Sequence, residues 1–487
     1  MSSLGSPSPF FLAGKKGYQV ERSLRFNGEG THHYLERTPS SAGNRQKCTF
    51  SCWTKRSNIG VNHCLASAYS ANNDNDNISI VLRSLSSGSC SLRVVGYFYN
   101  FRITNAAFRD PSAWLHVVVA FDTTQSSADD RVKVYINGVQ ETSFSTSGNV
   151  TQNMNIAFND TSVHRIGTQS NALSNTADGY IAEVNFLDGY AYDASYFGET
   201  DAITGQWIPK KYTGSYGTNG YYLNFSDNSG TTATTLGKDS SNNSNNFTPN
   251  NFVTGDAVKD SPTNNFCTLN FLSKSSGVTT QEGNLYAQGS SAWRNIVANF
   301  HMSSGKWYWE IYIKQVGTAI YGIMPATRAN GRQDFYADIY TGTYSDEWGY
   351  RNNGYLYNSA SANTSWGDSY TTGDILSFAL DMDNGTLDIK KNNSTTGSQI
   401  TGISTTKEYR AAFTYFTSGT QSNINFGQDS TFAGQKTAQG NTDGSGQGDF
   451  YYAPPSGYKA LCSANLADPT IKLPNKHFNT VLWTGNN

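Results

Sequence analysis

Apolar and polar residues alternate one by one along several stretches of this chain, the period of a strand with one buried face. The clearest stretch is Gly305-Lys306-Trp307-Tyr308-Trp309-Glu310-Ile311-Tyr312-Ile313. A second, 373–389, alternates to Asp381, breaks at Asp383-Asn384-Gly385 and resumes. Asn and Gly admit positive φ, so this break predicts a hairpin. Upstream, 23–26, 49–55, 180–187 and 221–225 read as further strands. Residues 114–121 form a more continuous apolar run, as for a strand covered on both faces. Residues 131–139 carry Asn137-Gly138, the strongest short turn signal of the chain, and predict another hairpin. Helical signals are confined to 190–211, where Asp193 offers an N-cap and Gly198 a stop. The pattern predicts an all-β protein of two consecutive antiparallel β-sandwich domains, with an extended N-terminal leader and an irregular C-terminal tail.

Pro, Gly and Asn clusters set the boundaries. Residues 1–22, with Gly5, Pro7 and Pro9, predict an extended N-terminal anchor. The first sandwich is expected over 23–229, an Asn-, Ser- and Thr-rich linker over 230–261, and the second sandwich over 262–430. The irregular tail, 431–487, would wrap its own chain or a neighbour's. At 487 residues the chain exceeds one compact core. Charged residues make up 15% and aromatics 13%, with 46 Gly and 30 Tyr, a composition poor in helix formers. The formal net charge of −2 gives no electrostatic footprint for nucleic acid. Met1 to Leu12 lack the basic region of a secretory signal, and no apolar run nears the ~18 residues that span a bilayer, so no membrane insertion is expected. Cys48 and Cys52 on one strand would lie about 13 Å apart, too far to bridge. The six cysteines have neither zinc nor redox spacing and read as small buried hydrophobes of a protein made in a reducing cytosol.

Catalytic spacings are missing. A jelly-roll glycosidase would alternate carboxylates along one strand, a retaining pair standing about 5 Å apart. Glu183 and Glu310 each stand alone. Asp346 and Glu347 are adjacent, which on a strand would face them to opposite sides, so a surface loop is expected. The seven histidines show no metalloprotease spacing, and no Gly-x-Ser-x-Gly elbow is present. The chain is therefore expected not to be an enzyme and to need no cofactor. Calcium stays open: Asn73-Asp74-Asn75-Asp76-Asn77 alternates oxygen ligands, so Asp74 and Asp76 compete with a plain solvated loop. Sugar rings ask for aromatic faces flanked by Asn, Asp or Gly. Trp348, Tyr350, Asn353, Tyr355, Trp366 and Asp368 supply that mixture and are the candidate ligand-binding residues, although alternating aromatics on strands also fill cores.

The motifs resemble known families. Gly305 to Glu310 and the hairpin through Gly385 resemble the SPRY domain, whose members bind partners through loops at one end of the sandwich. Trp114-Leu115-His116-Val117, Val134-Tyr135-Ile136-Asn137-Gly138 and Gly179-Tyr180-Ile181-Ala182, in that order, resemble the laminin-G-like or concanavalin A-like jelly roll. The combination resembles virion proteins of tailed bacteriophages, marine ones especially. Ser8-Pro9-Phe10-Phe11, Leu24-Arg25-Phe26-Asn27, Asp260-Ser261-Pro262-Thr263-Asn264 and Ala464-Asn465-Leu466 carry that resemblance. It implies a tail fibre or tail-associated protein, assembled in the host cytoplasm and exposed on the particle. Pro7, Pro9, Phe10 and Phe11 would anchor it to other virion proteins, and sandwich-edge loops would bind a host surface glycan or receptor. It also implies a homo-oligomer, a trimer being common among phage fibres. Rival expectations are a capsid decoration or tail-assembly protein that contacts only virion proteins, and a polysaccharide depolymerase.

Overall fold

The computed structural model describes residues 17–477, save 74–75, 87–89, 99, 149, 171, 330–339, 360–362 and 468–469. Strands dominate, in two consecutive sandwiches. One sheet of the first runs Val139–Glu141, Val132–Ile136, Leu115–Asp122, Lys47–Arg56, Asp178–Asp188, Ser23–Asn27, Ala257–Val258, with every pairing antiparallel. The facing sheet runs Phe144–Ser147, Asn100–Thr104, Leu92–Val95, Asn77–Leu82, His63–Tyr69, Val163–Ile166, Tyr34–Arg37, Thr248–Asn250. Alternation along Lys47–Arg56 sends Phe50 and Cys52 into the core and turns Ser51 and Trp53 to the outer face.

The continuous apolar run has a physical reason. Val117, Val119 and Phe121 join the main core, while Val118 packs outside against Leu187, Ala194, Phe197 and Tyr212. Both faces are covered, as expected from the sequence. The outer cover is the segment after Asp188, whose helical signal yields only a 3-10 turn, Ala194–Tyr196, with the Asp193 carboxylate accepting from Ser195 N at 2.8 Å.

In the second sandwich one sheet runs Leu269–Lys274, Arg294–Ala298, Tyr409–Tyr415, Ala319–Pro325, Trp348–Arg351, Tyr355–Tyr357, Asn363–Ser365. Its partner runs Val278–Gln281, Tyr286–Gly289, Gln421–Asn425, Lys306–Gln315, Ile375–Asp381, Thr386–Lys391, Ser394–Thr395. The predicted hairpin forms at 381–386. Asp381 Oδ1 accepts from Asp383 N and Asn384 N at 3.0 Å each, and Gly385 takes φ +64°. The carboxylate is engaged in the turn.

Two boundaries move. The stretch expected to be a linker, 230–261, belongs to the first sandwich. Leu236, Phe247, Phe252 and Ala257 enter its core, and Thr248–Asn250 pairs with Tyr34–Arg37. Its few apolar residues are spaced without a period, so the strand pattern does not show. The tail wraps its own chain: Phe450, Ala460 and Cys462 pack with Phe266, Tyr308 and Ala379, and Lys459–Ala460 adds in parallel to Lys306–Gln315.

One guanidinium knits the modules together. Arg25, fully buried, pairs with Asp256 at 3.0 Å, Glu282 at 3.4 Å and Asp429 at 3.0 Å. Burial works against its charge, and the carboxylates more than reverse that, raising its pKa. Among the described residues no helix is long and apolar enough to cross a membrane.

Candidate functional site

A cleft of about 650 Å³ opens on the outer face of the first sandwich, beside the junction. Parts of the chain that meet there include the segment from Gly17, the end of Lys47–Arg56, the loop before Leu115, and the ribbon Trp207–Pro209. Its aromatic lining is Tyr18, Trp53, Phe108, Trp114 and Trp207. Trp53 reaches it because the strand period turns odd-numbered side chains outward. Trp53 stacks on His116 with centroids 4.7 Å apart and planes 19° apart, and His116 stacks on Trp207 at 6.1 Å and 26°.

Hydrogen bonding fixes this stack. Burial lowers the His116 pKa to about 3, so the ring is neutral. Trp207 Nε1 donates to His116 Nδ1 at 2.9 Å, which puts the imidazole proton on Nε2, where it faces Ser51 Oγ at 2.9 Å. Two glycines make room for the indole. A Cβ at Gly138 would stand 2.5 Å from Trp207 Cε3, and one at Gly198 2.5 Å from its Cε2. Trp114 is held from behind: its Nε1 donates to Asp260 Oδ1 at 3.2 Å, and Lys55 Nζ lies 5.6 Å from its ring centroid. Lys55 and Asp260 are a buried ion pair, with Asn265 Oδ1 accepting from Nζ at 2.8 Å. Burial disfavours both charges, and each partner holds the other toward its charged form.

Tyr18 closes the remaining side. Its hydroxyl meets Tyr222 OH at 2.5 Å, and Tyr222 OH donates to Glu183 Oε1 at 2.7 Å. Glu183 occupies an irregularity in Asp178–Asp188 with φ +52°, and burial pushes its carboxyl up to about 7. Asn137, Gln206 and Thr263 add polar groups to the lining. A cleft with indole and phenol rings, carboxamides and a hydroxyl can seat a flat, polyhydroxylated ligand.

Residues 28–193 match the concanavalin A-like lectin/glucanases superfamily, and residues 306–429 match the SPRY domain. The chain joins a concanavalin A-like sandwich to a SPRY sandwich. Solved structures sharing part of the chain include the SPRY domain of human HERC1, with 21% identity over 32% of this chain and 96% of that one, TM-score 0.27. The TRIM65 PSpry domain shares 11% over 32% and 89%, TM-score 0.27. Stonustoxin shares 20% over 33% and 27%, TM-score 0.27. No curated protein matches. Trp53 and Trp114 fall within the concanavalin A-like match, whereas Tyr18, Trp207 and Thr263 lie outside both matched stretches.

The candidates read from the SPRY sequence do not form one platform. Trp348 is 7% exposed and Tyr350 fully buried, so both fill the core between the sheets. Tyr350 OH donates to the Asp368 carbonyl. Trp366 leans edge-on against Tyr350 at 5.3 Å and is half-buried. Only Asn353, Tyr355 and Asp368 reach solvent. The strand period explains this: Trp348 and Tyr350 share one face, and that face points inward. Asp346 and Glu347 lie in a loop, as expected. Glu347 is nearly buried rather than at the surface, and both carboxylates converge on Arg328, with Glu347 Oε1 3.2 Å from Nε. Asp76 Oδ1 accepts from Arg45 Nη2 at 3.0 Å and its Oδ2 from Asn73 Nδ2 at 2.9 Å, while Asp74 lies outside the described residues. Pro7, Pro9, Phe10 and Phe11 lie outside them as well.

Sequence reasoning missed Trp53, Trp114 and Trp207 as site residues. The first two were legible as strand residues, and Trp53 stood on the polar side of its alternation. Trp207 lay in no predicted strand and carried no signal.

Proposed function

We propose that this chain is a non-catalytic adhesion protein of a tailed-bacteriophage virion, and that a host-surface saccharide occupies the cleft of its concanavalin A-like sandwich. One observation carries the ligand: Trp114 and Trp207 lie along one cleft with Tyr18, beside Asn137 and Gln206 and over the buried Trp53. Sugar C–H faces stack on indoles, and sugar hydroxyls pair with carboxamides. The lone glutamates support a non-catalytic reading. Glu310 is buried and accepts from Tyr451 N at 2.9 Å and Tyr452 N at 2.7 Å, fastening the tail, and Glu183 holds Tyr222. The virion setting rests on the sequence strings from Ser8-Pro9 to Ala464-Asn465.

Titrating the full chain with host surface polysaccharide, followed by tryptophan fluorescence and calorimetry, should give saturable binding without release of reducing ends. Trp207→Ala should weaken it about tenfold, which is ~1.4 kcal/mol. Binding that survives both Trp207→Ala and Trp114→Ala unchanged refutes the cleft as the site.

A further inference from the structure

Resting on that saccharide reading, we infer that the cleft selects an anionic sugar, a carboxylate or sulfate ester on the ring being met by Arg109 with Arg56 behind it. The charged residues of the lining are Arg56, Arg109 and Asp110. Arg109 is exposed and, among the described residues, has no hydrogen-bond or ion-pair partner. Asp110 makes no ion pair with it: its Oδ1 accepts from Ser112 N at 2.8 Å and Ser112 Oγ at 2.5 Å, turning that carboxylate onto its own loop. The lysine behind Trp114 is already matched by Asp260.

Arg56 adds buried charge behind Arg109. It is 4% exposed, its Nη2 donates to Val61 O at 2.7 Å, and the Cys90 side chain is a further hydrogen-bond partner. The Cys90 thiol and the Asp178 carboxyl are its acidic neighbours, and burial holds Asp178 up at about 7. The Nε and Nη1 of Arg56 are sealed from solvent, so Arg56 lends positive charge from behind, and the contact itself falls to Arg109, whose planar fork fits carboxylate and sulfate oxygens. Aromatic stacking would seat any sugar, and the arginines would choose among them.

The test is calorimetric titration of the full chain with three oligosaccharides of one length: a neutral glucoside, its glucuronate counterpart and its sulfated counterpart. At about 50 mM NaCl at least one acidic form should bind ten times more tightly than the neutral one, and at about 500 mM the gap should narrow by screening. Arg109→Ala should remove most of the gap and leave the melting temperature unchanged, with Arg109→Lys restoring part of the gap. Trp207→Ala should weaken all three ligands alike. Equal binding of neutral and acidic forms, or a gap indifferent to Arg109→Ala, overturns the inference and leaves the saccharide reading standing. If none of the three nor host polysaccharide binds, the saccharide reading itself fails and takes the inference with it.

Discussion

Glu183 and Glu310 stand alone in the sequence, and the folded chain buries both with no ion-pair partner among the described residues. Burial pushes each carboxyl from its ordinary 4.5 up to about 7, and Asp178 and Glu347 rise to about 7 as well. Folding therefore favours their protonated forms. Their contribution is fully present below about 4.5 and is lost as pH rises through about 7. Four buried histidines act oppositely: His33 and His164 fall to about 4, His63 and His116 to about 3, from an ordinary 6.5. Their contribution is present above 6.5 and is lost as pH falls. The two sets offset each other between about pH 4.5 and 6.5, so together they predict a melting temperature that is level there and declines from pH ~6.5 to ~8 as the carboxyls finish ionising. Glu183→Gln keeps an oxygen for Tyr222 OH but cannot titrate, so its alkaline decline should be shallower. An unchanged pH profile in that variant excludes Glu183 as a contributor. None of this was legible from residue type alone, because the shifts come from burial.

At the scale of elements the sequence was most informative where one turn and two alternating strands agree. Both predicted hairpins form. Asn137 and Gly138 take φ +47° and +83°, as the Asn-Gly signal requires. Gly138 has a second duty that no local signal carries, since its bare Cα makes room for Trp207. Gly138→Ala should therefore do two things. The left-handed turn should cost about 1–2 kcal/mol of stability, and displacement of the indole should weaken saccharide binding. Gly385→Ala is the control: its turn has φ +64° and its Cβ would meet Ile403 O, far along the chain in the SPRY sandwich. It should lower the melting temperature and leave cleft affinity intact. Equal affinity loss in both variants would make the Gly138 effect a general consequence of destabilisation. Elements the sequence hid were those with few apolar residues and no period, such as Thr248–Asn250 and Trp207–Pro209, whose burial is set by the sheet they join.

The whole molecule depends on contacts between residues far apart in the chain, which no window of sequence could show. Arg25 donates to Asp256, 231 positions on, and to Asp429, 404 positions on. Asn27 Nδ2 donates to Glu282 Oε1 at 2.7 Å, Asn284 Nδ2 to Ser57 O at 2.8 Å, and Tyr180 OH to Gly283 O at 2.7 Å. These contacts join the two sandwiches where an Asn-, Ser- and Thr-rich linker was expected, so the modules should unfold together. Calorimetry should give one cooperative transition, and protease should not release a stable fragment by cutting within 226–265. Arg25→Met keeps the bulk of the side chain but strips the partner from three buried acids. Breaking such a buried pair costs about 3–5 kcal/mol, so the variant should melt earlier, and its loss should be smaller at acid pH, where Asp256 and Glu282, both raised by burial, protonate. It should also open the 226–265 stretch to protease and split the melt in two. Two separate transitions in the unaltered chain would mean that the sandwiches are independent and that the cleft, which draws on Pro262 and Thr263 beyond the junction, is not held rigid by it.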